Sequence, residues 1–343
     1  MDVTLAIWGI SIGAIIVLVA IDFFTVSRHP HDVSFREASL WSIFYIAIAI
    51  AFGILVWFWQ GSALGTQFFA AYLVEKSLSV DNLFVFVIIL TQFAVPSVLH
   101  QRVLLFGVML ALVFRAVFIA IGAAALAYFS FTFVIFGAFL IWTGVQLARH
   151  RDDDPEPKEN LVVRVARRWF PVADRFEGTK LSIRVNGKRM LTPLLLVMLA
   201  IGSTDLLFAL DSIPATFGVT TEPYLVFMAN AAALLGLRAL YFVLRGLLDR
   251  LVYLSIGLSV ILIFIGIKLV LTFVHEQNTA IPKISTPLSL GVIAGVLIAV
   301  TLASWWKVRR DPSVRAHAGT VLEPRRSEDI ESESPAAGEN PSP

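Results

Sequence analysis

Glu75-Lys76-Ser77-Leu78-Ser79-Val80-Asp81-Asn82-Leu83-Phe84 lies inside one long apolar run, and Asp205-Leu206-Leu207-Phe208-Ala209-Leu210-Asp211-Ser212-Ile213-Pro214 lies inside another. Each stretch carries two carboxylates six residues apart. An acid at the centre of a bilayer costs on the order of 3 kcal/mol or more, so intramembrane acids point by default to ion or proton handling. Two similarly built pairs suggest a cation site between related halves of a transporter.

The surrounding chain supports a membrane setting. It has 343 residues, of which 57% are hydrophobic and 15% charged, with a mean hydropathy of +0.80. Soluble domains carry about 25% charge. Apolar stretches fall near 4–26, 39–59, 65–90, 103–126, 130–148, 191–213, 224–246, 251–274 and 286–306. Each is close to the roughly 20 residues that cross about 30 Å of hydrocarbon. Because the runs are continuously apolar rather than short and alternating, they predict an all-α polytopic membrane protein with nine spans, not a β-barrel. The first run holds Asp2, no Lys or Arg and no small-residue cleavage region, and so reads as a retained helix.

Basic residues orient the spans. With the N-terminus outside, only Lys283 of the 27 Lys and Arg falls in an outer loop, while Lys76, Arg115, Arg238 and Lys268 fall within spans. The remainder lie on the inner side. The expectation is a multi-pass protein of the inner (plasma) membrane, N-terminus out and C-terminus in.

The membrane domain is expected over 1–310, with a cytoplasmic loop at about 149–190 and a disordered cytoplasmic tail over 311–343, where Pro, Ser and Glu replace apolar clusters. Within the loop, the basic amphipathic stretch from Leu161 to Phe170 suits an anionic lipid surface. Residues Leu181 to Met190, centred on Asn186-Gly187, read as a short hairpin. Asp152, Asp153 and Asp154 are read as solvated loop residues rather than an ion sensor. Trp57, Trp59, Trp305 and Trp306 suit interfacial anchors.

An internal repeat connects the acidic stretches. After each pair comes a span with a single arginine, Arg115 or Arg238, preceded eight residues earlier by Gly107 or Asn230. A third span in each copy ends with a polar residue two places after a glycine: Gly144 with Gln146, and Gly266 with Lys268. The repeat units are about 65–148 and 191–274. Each holds three spans, an odd number, so the second unit enters the membrane from the opposite side. This predicts an inverted three-helix repeat, from which many secondary transporters build two gates.

On a regular helix, residues six apart lie about 120° apart around the axis and roughly 9 Å apart along it. Glu75 and Asp81 therefore cannot both face one ion from an undisturbed helix. Two arrangements remain open. Either the helices break between their acids, aided by Pro214, or Asp81 and Asp211 meet near the repeat axis while Glu75 and Asp205 lie deeper or act as gates. Asn82, Ser79, Thr204 and Ser212 supply neutral oxygens beside the acids. Lys76, Arg115 and Arg238 could balance charge or lock a gate, and Asp22, near the inner end of the first span, is a gate candidate or a simple helix terminus.

An all-oxygen set suits a hard divalent cation such as Mn²⁺, Ca²⁺ or Mg²⁺. The chain has no cysteine, which excludes disulfides and thiolate metal sites, and its six histidines lie at helix ends or in loops. Neither a Ser/His or His/Glu constellation nor a nucleotide-binding glycine loop is found in the spans, so no enzyme and no nucleic-acid partner is expected.

The strings 75–84 and 203–215 (Ser-Thr-Asp-Leu-Leu-Phe-Ala-Leu-Asp-Ser-Ile-Pro-Ala) resemble the TerC family of integral membrane proteins, over roughly residues 3–275 and more weakly over the last span. That resemblance implies links to tellurium resistance, manganese export and metal homeostasis. It also implies that Glu75, Asp81, Asp205 and Asp211 are the acidic motif residues, with Asn82 and Ser212 beside them. The combined expectation is efflux of Mn²⁺ or a related divalent cation, with exchange for protons as a candidate coupling and no bound cofactor. The competing expectation is a membrane scaffold that recruits soluble stress or tellurium-resistance proteins through loop 149–190.

Overall fold

The computed structural model describes residues 3–28, 33–149, 161–173, 176–185, 188–244, 253–278, 281 and 284–310. The triple-Asp segment and the tail after 310 lie outside the described residues. Within them the chain is a helical membrane protein. The helices are α1 (Leu5–Arg28), α2 (Phe35–Gln60), α3 (Ser62–Gln92), α4 (Ser97–Tyr128), α5 (Thr132–Arg149), α6 (Leu161–Trp169), α7 (Pro193–Phe217), α8 (Pro223–Leu235), α9 (Leu237–Leu244), α10 (Leu254–Gln277) and α11 (Thr286–Arg310). Strands β1 (Ser182–Val185) and β2 (Lys188–Leu191) form the expected hairpin, pairing Ile183 with Met190 and Val185 with Lys188. Its Asn186-Gly187 turn is outside the described residues.

Helix boundaries follow local chemistry. Ser34 caps α2 by accepting from the Glu37 amide at 3.3 Å. Gly61, at φ +95°, takes a conformation that side chains disfavour and turns the chain from α2 into α3. Proline opens α7 and α8 at Pro193 and Pro223, where the missing amide is harmless.

Eight helical segments among the described residues are long and apolar enough to cross a membrane. α3 is not one of them, because Glu75, Lys76 and Asp81 interrupt its apolar character. At 31 residues it nonetheless has the length to span. The seventh apolar run, expected as one helix over 224–246, is two helices separated at Gly236. The break leaves carbonyls of α8 without helical donors, and the Lys76 ammonium donates to one of them, Ala233 O, at 3.3 Å.

α3 and α7 pack against each other at the centre. Around them the pairings are symmetric: α4 packs on α7 as α3 packs on α8, and α5 packs most extensively on α10. Glycines bring the α5 and α10 backbones together. A Cβ on Gly137 would stand 2.7 Å from the Gly266 carbonyl oxygen, and one on Gly266 would stand 2.7 Å from the Gly137 carbonyl oxygen. A turn or two away, the Ser259 hydroxyl donates to Gly144 O at 2.8 Å. Lipid offers no hydrophobic drive between spans, so such close approach and cross-helix hydrogen bonding hold the seam. α1 flanks α4 and α8, while α11 covers α3 and α10. The cytoplasmic-loop helix α6 seats Val163 and Ala166 in the core and rests on α7.

Candidate functional site

Neither acid-bearing helix is broken between its acids: α3 runs continuously over 62–92 and α7 over 193–217, with Pro214 inside it. The broken-helix arrangement is therefore absent. The side chain of Asp81 lies outside the described residues. The other three acids occupy two distinct places.

Glu75 and Asp205 converge on Arg115. The approach is made possible by small residues where α4 crosses α7, since a Cβ on Gly107 would come within 2.8 Å of Ile201. From there Arg115 reaches between the two central helices. Its Nη1 donates to Glu75 Oε2 at 2.7 Å, and its Nε faces Asp205 Oδ2 at 3.5 Å. All three residues are 1% exposed. The other Glu75 oxygen accepts from Thr216 Oγ1 at 2.7 Å, a hydroxyl that also donates to Ser212 O. Two carboxylates against one guanidinium leave a net negative charge when all are ionised. Asp205 Oδ1 and Arg115 Nη2 have no hydrogen-bond partner among the described residues. Buried ionic groups normally satisfy such atoms, so the cluster is poised rather than saturated.

Asp211 lies apart from this cluster, half-buried beside a cavity of about 330 Å³. α3 contributes Leu78 and Asn82, α5 Thr143 and Gln146, and α7 Phe208 and Asp211. One carboxylate, two carboxamides and a hydroxyl thus face a single space. All can donate oxygen to a hard cation. Ser79 and Ser212 are buried nearby in sequence, and their hydroxyls have no partner among the described residues. Thr204 sits half-buried, one residue before Asp205 on α7. No group of three or more His, Asp or Glu side chains gathers around one point among the described residues.

The remaining charged residues do other work. Lys76 turns to the C-terminal end of α8 rather than to the acids, where a cation also suits the helix dipole. Arg238, expected to offset the motif acids, instead pairs with Asp22 of α1: Nε donates to Oδ2 at 3.0 Å, and Nη2 donates to Oδ1. Both side chains are buried, and Tyr45 of α2 stands beside the Asp22 carboxylate. Asp22 is therefore an ion-pair partner, not only a helix terminus.

Sequence reasoning missed Thr216 and Thr143. Thr216 stands two residues past Pro214, and Thr143 one before Gly144, but neither carries a charge to draw notice. Gln146 was marked only as a repeat landmark.

The fold and this polar interior define a multi-pass integral membrane protein. Residues 60–312 match the family described as "Integral membrane protein TerC family", and the chain belongs to it. It is 42% identical to an uncharacterized membrane protein of Myxococcus xanthus, over 92% of this chain and 97% of that one. It is 45% identical to an uncharacterized membrane protein of Mycobacterium tuberculosis, over 88% of this chain and 80% of the relative. A 36% identity to the "Putative membrane-bound redox modulator Alx" of Escherichia coli covers 88% of this chain and 94% of that protein. No solved structure matches significantly.

Proposed function

We propose that this protein exports a hard divalent cation, Mn²⁺ foremost, by alternating access between two inverted three-helix units. The observation that carries the reading is the oxygen-lined cavity beside Asp211 and Asn82, set among four central helices. A transported ion must be held weakly enough to leave, and one carboxylate with neutral oxygens suits that better than a closed cage. Asp81, one residue before Asn82, would add a second carboxylate to the capture site, with Ser79, Thr204 and Ser212 as neutral ligands or supports. Mn²⁺ is favoured over Mg²⁺ because Mg²⁺ gives up its water shell reluctantly.

In this reading α3 is a span and the chain crosses nine times, N-terminus outside the inner membrane and C-terminus inside. The units are α3-α4-α5 and α7-α8/α9-α10, a division supported by the reciprocal packing of α4 on α7 and α3 on α8. The Glu75–Arg115–Asp205 cluster ties the two units in one state, and the Asp22–Arg238 pair secures α1 to the second unit. A proton exchanged for the cation would occupy a carboxylate on the return leg, relieving like-charge repulsion in low dielectric.

The redox wording attached to the Escherichia coli relative fits a metal route here better than a thiol route, because this chain has no cysteine. The scaffold reading keeps one specific support: α6 exposes Arg164, Arg168 and Trp169 on its outer side. One comparison separates the two. Cells making normally abundant Asp211→Asn protein should retain manganese, whereas deletion of 150–160 should leave export intact. Full manganese export by Asp211→Asn, with loss of both export and partner capture on loop deletion, would reverse the conclusion.

A further inference from the structure

A second cavity, of about 120 Å³, lies along the same four helices. Gln67 of α3, Thr220 just beyond α7, Lys268 and Thr272 of α10, and Thr286 at the start of α11 line it. The two cavities are displaced along every helix. α3 presents Asn82 to the first and Gln67 to the second, and α5 presents Gln146 and Phe133 respectively. α7 presents Asp211 and then Phe217, while α10 presents Leu262 and then Lys268. Glu75 stands on α3 between Gln67 and Asn82, bonded across to Thr216 of α7, so a polar partition separates the spaces. In the proposed orientation the Asp211 cavity lies toward the inside and the second toward the outside.

The two cavities also correspond in the repeat. Gln146 follows Gly144 by two places and Lys268 follows Gly266 by two places, and both glycines lie in the α5–α10 seam. One corresponding position is therefore neutral and the other cationic. Lys268 is 5% exposed, and no carboxylate lines its cavity among the described residues. The polar partners there include Thr220, whose hydroxyl donates to Gln67 Oε1 at 2.6 Å.

We infer that the second cavity is the outer vestibule of the cation path, and that Lys268 is its fixed positive charge, making the outer face bind the divalent cation far more weakly than the inner face. The inference rests on the cation-export reading. A charge in a narrow, low-dielectric space focuses its field along that space. There it raises the energy of an entering dication, as fixed cations do in selective pores. The lysine cannot set the direction of net flux, which belongs to the gradients. It sets the two half-saturation concentrations apart, so that cation captured inside at low concentration is released outside with little rebinding.

The test uses the full chain in right-side-out and inside-out membrane vesicles, with Mn²⁺ flux measured from each face. Lys268→Gln, which copies Gln146, should lower the outer half-saturating Mn²⁺ concentration about tenfold while moving the inner value less than about twofold. Lys268→Arg retains the charge and should keep the wild-type asymmetry. The inner value of the same variant doubles as the check that it is folded. An unchanged outer value in Lys268→Gln, or equal shifts at both faces, overturns the inference while leaving export standing. Absence of Mn²⁺ flux in wild-type vesicles overturns the export reading, and the inference with it.

Discussion

Arg115 Nη1 stands 2.7 Å from Glu75 Oε2, with both side chains sealed inside the protein and Asp205 on the guanidinium's other side. The contact joins α3 to α4 within one repeat unit, and Asp205 extends it into the other. Any movement of the units against each other must stretch or break it, so this cluster is both a structural tie and a gate.

Replacing Arg115 by Leu should therefore be worse than replacing Glu75 by Gln. The first leaves two buried carboxylates facing each other, and loss of one partner of a buried ion pair typically costs about 3–5 kcal/mol. The second keeps a hydrogen-bonding side chain of the same shape. Thermal melting in detergent should order the proteins wild type, Glu75→Gln, Arg115→Leu. Equal melting of Arg115→Leu and wild type would remove the tie.

The Asp22–Arg238 pair joins residues 216 apart in sequence. A double-mutant cycle with Asp22→Asn and Arg238→Gln should give a coupling energy between about 0.5 and 3 kcal/mol, as expected for residues in direct contact. Additive effects of the two substitutions would show that the pair is not maintained in the membrane.

The α5–α10 seam predicts sharp size selection. Gly137→Val forces a side chain against the Gly266 carbonyl oxygen and should destabilise by about 1–3 kcal/mol, as overpacking does. Gly9→Ala has nothing within 4 Å of the new Cβ and should melt with wild type. Comparable losses at both positions would argue against the close backbone contact.

Orientation has its own check, favoured by the absence of native cysteine. Single cysteines at Phe170, beyond α6, and at Glu222, before α8, should react with an impermeant thiol reagent from opposite sides of the membrane. Labelling of both from one side would sink the alternation of spans and the inverted repeat together.

Much of the fold was legible in hydropathy, because length and apolar continuity are what a bilayer selects. The run over 39–59 became α2 and the run over 286–306 became α11, each with only its ends adjusted. The break at Gly236 was not legible from hydropathy, since Leu235 and Leu237 keep the run apolar on both sides. Its sign was the glycine, and its physical counterpart is Lys76, more than 150 residues earlier, taking a freed carbonyl. Site composition was readable where charge in an apolar run stood out, at Glu75, Arg115, Asp205 and Asp211. Partnerships were less so: Arg238 looked like a counter-charge for motif acids and instead holds Asp22. Which acid an arginine meets depends on how helices are rotated and stacked, information spread over α1, α2 and α9 rather than carried by the motif.

The most direct test is Mn²⁺ flux in proteoliposomes containing purified wild-type or Asp211→Asn protein, matched for amount and melting temperature. Wild type should move Mn²⁺ in preference to Mg²⁺, and Asp211→Asn should lose at least about tenfold in apparent Mn²⁺ affinity, equivalent to about 1.4 kcal/mol. Wild-type flux and affinity in the folded Asp211→Asn protein would contradict the cation site proposed at that cavity.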